Sequence, residues 1–291
     1  MWSLLKIELF KVFKRPRTYI AFIAVWAIVS LIQLAIYVDG AKYMDFVLKD
    51  VKDNFDVIGN PLNGYFVCFV ILQTLLIHVP LLVALVSADM IAGEANMGTL
   101  RLLITKPVSR TKLLMSKFMA SAIYAIILLI WIALLGLFLS MAIFGTDGLM
   151  NAKSYEIIIL NGNDIFWRYL CAFGYAAIAL ITVSSLGFFF SIFAENSLGP
   201  IVATMSVIIV FTILTTLDIP MFQNVKDFFF TSHMIGWKGF FEMKVDADGM
   251  SIPGTIRNLP AVLRSAAILL LHIFIFTGSA IFIFNRKDVL S

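Results

Sequence analysis

Charged residues are scarce in this chain, at 14% of 291 positions, and cysteine is scarcer still, with two. A soluble domain keeps roughly a quarter of its residues charged, so a water-soluble fold is excluded as the starting assumption. The two thiols, Cys68 and Cys171, both lie inside apolar runs and make poor partners for a disulfide framework. No GxxxxGK(S/T) phosphate loop occurs, so the chain cannot cradle a nucleotide by that route. HExxH, GxSxG and CxxC are missing too, which leaves metalloprotease, hydrolase and thiol-redox activities without support. No catalytic, cofactor-binding or metal-binding residue is expected, and the chain is read as a non-enzyme.

What the sequence does have is length without charge. Six runs, at 18–38, 63–88, 118–146, 169–194, 196–217 and 265–285, contain no Asp, Glu, Lys or Arg and make up about half of the chain. Each exceeds the roughly 20 residues a helix needs to cross about 30 Å of hydrocarbon. Membrane strands would be near 10 residues with alternating polarity, which these runs lack. Helices satisfy the backbone instead. The expected fold is an all-α polytopic membrane protein of six spans, a single domain over residues 1–291. Runs four and five are separated only by Glu195. A continuous helix there would be roughly 74 Å long, far more than a bilayer. Asn196, Gly199 and Pro200 supply the turn of a tight hairpin. The first run is too long for a signal-peptide core and is read as a retained helix.

Six crossings place both termini on one side. That side carries 12 Lys and Arg in short segments, several of them at membrane ends, against 10 across the much longer segments of the other side. Positive charge marks the cytoplasmic face, so both termini are read as cytoplasmic. A pI near 9.0 is then explained by orientation and by anionic lipid, and nucleic acid is set aside as a partner. The external segments are 39–62, 147–168 and 218–264. The last mixes Phe222, Phe228, Phe229, Phe230, Trp237, Phe240 and Phe241 with charges, a pattern for short helices in the outer leaflet.

Residues 1–17 place Trp2, Leu5, Leu9, Val12 and Phe13 at helical spacing, with Ser3, Lys6, Lys11 and Lys14 opposite. This predicts an amphipathic helix lying in the inner interface, broken at Lys14-Arg15-Pro16-Arg17, where Pro16 opens the next helix. The cytoplasmic loop 89–117 is patterned as well. Met97, Leu100, Leu103 and Ile104 share a face, with Glu94 in the first turn, where a carboxylate suits the helix dipole. Gly98 permits close approach by another surface. Pro107 ends that helix at residue 106, and Ser109 is placed as the N-cap of span 3.

The order Glu94, Gly98-Thr99-Leu100, Leu103, Pro107-Val108-Ser109-Arg110 and Lys117-Phe118 resembles the signature of ABC transporter permeases of the type-2 exporter class. The resemblance extends over the whole length. It implies a permease subunit that pairs with a second copy or homologue in a prokaryotic inner membrane and is driven by two ATP-binding subunits. ATP and Mg would be held there, with none on this chain. Residues 93–106 would form the coupling helix, contacting the ATPase through Glu94, Gly98, Thr99, Leu100, Arg101, Leu103, Pro107 and Arg110. The turn at Glu195 would make a smaller contact, and Ser232 to Phe241 would suit a re-entrant segment near the exit. Ala95-Asn96-Met97 carries no charge, so Glu94 and Arg101 are expected to supply most polar contacts. A membrane scaffold anchoring an ATPase for envelope assembly, or a stand-alone secondary transporter, are the other functions this layout admits.

Within the spans, His78 and His272 are the only ionisable side chains of the usual relay types. They are candidates for a pathway or gate, although packing residues are the simpler reading. Pro80 is expected to kink span 2 and free a carbonyl for His78. Span 4 carries Gly174, Ala176, Ala177, Ser184, Ser185 and Gly187, small residues that let helices approach closely in lipid.

Overall fold

Every apolar run folds as a helix, because a backbone in hydrocarbon has no water to bond and must close its hydrogen bonds internally. The computed structural model describes residues 1–47, 62–100, 108–146, 149–153, 156–160, 162–217, 223–244, 246 and 251–287. After α1 (Trp2–Lys14), the long helices are α2 (Pro16–Val47), α3 (Gly64–Ser87), α5 (Arg110–Ala133), α7 (Gly162–Ser191), α8 (Leu198–Thr216) and α11 (Leu259–Arg286). A short α4 (Ala92–Asn96) lies between α3 and α5. Six helices are long and apolar enough to cross a membrane, and the chain is a multi-pass membrane protein.

Three features depart from the sequence reading. First, the segment 147–168, expected to be external, holds paired strands within an otherwise all-helical fold. Strands β1 (Leu149–Lys153) and β2 (Glu156–Leu160) pair antiparallel, Leu149 opposite Leu160 and Lys153 opposite Glu156. They lie in the segment between α5 and α7 that was read as a loop. Second, several helices overrun their uncharged cores. α2 continues to Val47, α7 starts at Gly162, and α11 starts at Leu259. A charged residue ends an apolar run but does not end a helix. Third, α5 passes through a π-helical segment at Leu134–Leu139 before resuming as α6 (Ser140–Phe144). There Gln33, buried on α2, donates to the Leu135 carbonyl at 2.8 Å and to the Ser140 hydroxyl at 2.9 Å. The side chain thus serves a backbone whose ladder is locally out of step.

α7 is the central pillar, touching α11, α5 and α3 along its length. In its most apolar stretch 61% of residues are buried, against 17% in α8, which leaves α8 largely open to the surroundings. Small residues set the α7 contacts. A Cβ on Gly187 would meet the Ser87 hydroxyl at 2.2 Å, so α3 and α7 touch there almost backbone to backbone. Gly174 of the same helix has nothing within 4 Å.

At the end opposite α1, the short α9 (Gln223–Lys226) precedes α10 (Phe230–Met234) and a 3-10 turn (Ile235–Phe241), which fold inward between the long helices. Phe69 of α3 meets Trp237 and Phe241 at ring distances of 5.4 Å, and Tyr169 of α7 meets Phe241 at 4.8 Å. Arg168, fully buried on α7, fastens this segment. It pairs with Asp164 at 2.7 Å and donates to the carbonyls of Phe240 at 2.6 Å and Thr255 at 2.8 Å. Within Ser232 to Phe241, the stretch expected to suit a re-entrant segment, Trp237, Phe240 and Phe241 are buried against the long helices. The anchor of this stretch, Arg168, sits one residue outside the fourth apolar run, where the sequence reading had assigned it no role.

The contrast between the two glycines yields a test. Gly187→Ala should lower stability in mixed-micelle unfolding by about 1–3 kcal/mol, the usual penalty of overpacking. Gly174→Ala should leave it unchanged or raise it by up to about 1 kcal/mol, the gain of alanine over glycine inside a helix. Equal effects would mean that α3 and α7 do not meet at Gly187.

Candidate functional site

Charges cannot be buried alone, and at the end of the bundle where α1, the start of α5 and the end of α11 meet, several are buried together. α1 ends at Lys14, because Arg15 turns extended ahead of Pro16, the first residue of α2. The helix therefore lies folded back across α5. Its inward face is Leu5, Glu8 and Val12, residues three and four apart. Glu8 thus points into the protein from the middle of an apolar stripe.

The Glu8 carboxylate takes the Lys117 ammonium of α5 at 2.8 Å and that of Lys11 at 2.8 Å. Glu94 of α4 lies 2.7 Å from the same two ammonium groups. Its contact to Lys11 is an aligned hydrogen bond, whereas its Oε2 faces Lys117 as an ion pair without that alignment. The four groups alternate in sign around a square, each touching two of opposite charge. Lys117 is 1% exposed, Glu94 3% and Glu8 4%. Removing isolated charges of this size from water would cost several kcal/mol each. The square survives because its net charge is zero and every member has two partners. Burial by itself would raise the Glu8 carboxyl, but the Lys117 charge and the hydrogen bonds from Lys11 and Lys117 hold it below the ordinary 4.5. Burial would lower the Lys11 ammonium, and the bonds to Glu8 and Glu94 raise it above 10.5 instead.

A third buried carboxylate adjoins the square. Asp89, 2% exposed, receives both Arg15 and Arg17 from the α1–α2 elbow, and the Ser197 hydroxyl from the turn between α7 and α8. Its position demands glycine at residue 93, where a Cβ would fall 2.5 Å from the carboxylate oxygen. The Ser191 hydroxyl at the end of α7 accepts from the amides of Ile91 and Ala92, both at 2.9 Å, and satisfies the open start of α4. Residues 89–96 are therefore gripped by α1, the elbow, α5 and the α7–α8 turn. α11 is tied to the same region. Arg110 donates to the Lys287 carbonyl at 2.9 Å, and Lys287 donates to the Ile192 carbonyl at 2.9 Å.

The residues predicted to contact an ATPase divide into inward, outward and undescribed groups. Glu94 faces inward and is spoken for by Lys11 and Lys117, so it is not the surface carboxylate it was read as. Leu100 is also inward, at 7% exposure. The expected helix over 93–106 is interrupted within its described part: α4 ends at Asn96, Gly98 adopts φ +68° in the turn that follows, Thr99 and Leu100 are helical again, and 101–106 lie outside the described residues. Only glycine enters that left-handed region without strain, and this is the physical reason a helix cannot run through. Met97, at 57% exposure, forms the protruding tip with Gly98 and the half-buried Thr99. Arg110 is half-buried against the end of α11, and Glu195 is exposed on the α7–α8 turn. Arg101, Leu103 and Pro107 lie outside the described residues. Ser109 caps α5 as read, accepting from the Lys112 amide at 3.3 Å.

The pathway candidates are elsewhere. His78 is exposed on the outside of α3, and its Nδ1 bonds the Thr74 carbonyl at 2.7 Å. Pro80 deprives a different carbonyl, that of Leu76 four residues before it, so the expected rescue by His78 does not occur. His272 bonds the Ile268 carbonyl at 2.9 Å and packs between Phe230 and Phe276. The two histidines belong to different helices and are not brought together.

Glu8, Asp89 and Arg168 are the functional candidates that sequence reasoning passed over, while Lys117 entered it only as part of the family signature. Only Glu8 carried a local signal, since a lone carboxylate between Leu5 and Val12 at helical spacing interrupts an otherwise apolar face.

The family described as "Protein of unknown function (DUF2705)" matches residues 26–290, almost the whole bundle. The chain belongs to this family. A 117-residue stretch is also 26% identical to "Uncharacterized protein YhcI" of Bacillus subtilis (strain 168). That match covers 39% of this chain and 37% of YhcI, so the similarity spans little more than a third of that relative.

The square makes two measurable demands. Lys117→Met should cost about 3–5 kcal/mol in mixed-micelle unfolding, because it leaves two buried carboxylates facing one ammonium. Adding Glu94→Gln should recover part of that loss by restoring neutrality. A cost below about 1 kcal/mol, the range of a surface pair, would rule the square out. The pH dependence follows from the shifts. The Glu8 contribution is present above 4.5 and lost as pH falls through its lowered value. The Lys11 contribution is present below 10.5 and lost as pH rises through its raised value. Stability should therefore be flat between these limits and fall outside them, and Glu8→Gln should reduce the acid limb.

Proposed function

We propose that this chain is the membrane-spanning permease subunit of an ATP-driven exporter, similar to the type-2 class of ABC transporter permeases. Two copies, or this chain and a homologue, would frame the translocation path. Two cytoplasmic ATP-binding subunits would drive them and would hold the ATP and Mg. The excess of Lys and Arg near the α1 end supports placing that end, with both termini, in the cytoplasm of a prokaryotic cell.

The observation that carries the reading is the mounting of residues 89–96. A docking segment can pass force to membrane helices only if it is joined to them stiffly. The Glu8–Lys11–Glu94–Lys117 square and the Asp89 contacts make that joint, and they link α3, α4, α1 and α5 at once. The exposed tip at Met97 and Gly98 then stands on a braced base. In this reading Glu94 and Leu100 hold the base, while Met97, Thr99 and the exposed Glu195 meet the ATPase.

Co-expression with an ATP-binding subunit of the type-2 exporter class from the same organism should give a complex of two permease and two ATPase subunits. Met97→Asp should weaken that association roughly tenfold or more, equivalent to about 1.4 kcal/mol, without changing the unfolding of the membrane subunit. A wild-type chain that never retains the ATPase, or an unchanged ATPase rate with the variant complex intact, would overturn the proposal.

A further inference from the structure

The face that α1 turns outward has a composition of its own. Trp2, Lys6, Phe10 and Lys14 recur every four residues and form one stripe along the helix, with Ile7 beside it. Trp2 and Phe10 are each 66% exposed and Ile7 52%, so the apolar members are not covered by this chain. The lysines lie close to the rings, Lys6 Nζ 5.4 Å from the Trp2 centroid and Lys14 Nζ 5.6 Å from that of Phe10. This is not the face the sequence pattern favoured. Leu5 and Val12 are consumed in packing, and the helix presents aromatic rings alternating with ammonium groups.

The sign of charge at this end follows from the buried site. Of the carboxylates near α1, Glu8, Asp89 and Glu94 are all turned inward and neutralised within the protein. Among the described residues of this end, Glu195 is the exposed carboxylate, whereas Lys6, Lys14, Lys112 and Arg286 are exposed cations. The protein has internalised its acids and left its bases outside, so the surface around α1 is more cationic than the sequence suggests. Exposed aromatic side chains interleaved with lysines on a helix beside six membrane-crossing helices fit one occupant best. The rings enter the boundary between headgroups and acyl chains while the ammonium groups meet phosphate.

We infer that the Trp2–Lys6–Phe10–Lys14 stripe of α1 is a binding face for anionic phospholipid headgroups. Because the opposite face carries Glu8 and Lys11, the same helix joins the lipid surface to the charge square. The inference stands apart from any ATP-binding partner and fails or survives without it.

The test uses the full chain in nanodiscs containing brominated lipid, with the Trp2 signal obtained as the difference between wild type and Trp2→Phe among the five tryptophans. Brominated phosphatidylglycerol should quench Trp2 at least threefold more strongly than brominated phosphatidylcholine at equal mole fraction. Lys6→Gln/Lys14→Gln should abolish the difference while leaving quenching by both lipids, and Lys6→Arg/Lys14→Arg should restore it. Equal quenching by the two lipids in the wild type would reduce the stripe to apolar contact and overturn the inference. So would an absence of quenching by either lipid, which would mean that a second copy or another protein covers the stripe.

Discussion

Three charges that cannot be buried singly are buried as a set with the half-exposed Lys11 as the fourth corner, and the terminal end of this protein depends on that constraint. Glu8, Lys11, Glu94 and Lys117 come from three helices far apart in sequence. Glu8 and Lys11 pair within α1, but Glu94 and Lys117 are satisfied only when α1, α4 and α5 all take up one register. A hydrophobic contact tolerates sliding, but an alternating square does not, since displacement of one corner strands two others. The known uses of buried ionic groups include fixing register at some cost in stability, and the geometry here suits that use. The adjacent Asp89 extends the same logic to the elbow before α2 and to the α7–α8 turn.

The opposite end uses the same device with a different purpose. Arg168 is buried with only one carboxylate, and its remaining donors go to backbone carbonyls of the segment that folds inward. A planar guanidinium can serve several acceptors at once, so one side chain ties two separate stretches of this connection, at Phe240 and Thr255, to α7. Between the two ends the bundle is held by close approach, as at Gly187, and by aromatic packing. Polar chemistry is thus concentrated where the helices leave the hydrocarbon, and the intervening stretch is left to shape.

The sequence makes the six helices legible because hydrocarbon imposes both their length and their lack of charge. The elbow at Pro16 and the cap at Ser109 are local too, each set by one residue and its immediate neighbours. What escapes is what depends on distant partners. Glu94 looks like a surface carboxylate until Lys11 and Lys117 arrive from other helices. Leu100 looks like a docking residue until the turn at Gly98 directs it inward. The β-hairpin at 149–160 carries isoleucines that a hydropathy reading absorbs into a loop, and Arg168 lies just past a run boundary with its acceptors 72 and 87 residues away. The family match and the partial likeness to YhcI place the chain among relatives without specifying a reaction, so the functional reading rests on the site.

The central claim is that the square locks α1 to the segment preceding the Met97 tip. Spin labels at the exposed positions 3 and 97, read by double electron–electron resonance on the full chain in nanodiscs, measure that lock directly. The account predicts one narrow distance distribution that broadens when Lys117 is replaced by methionine. A broad distribution in the intact protein, or a narrow one that the replacement leaves unchanged, would contradict it.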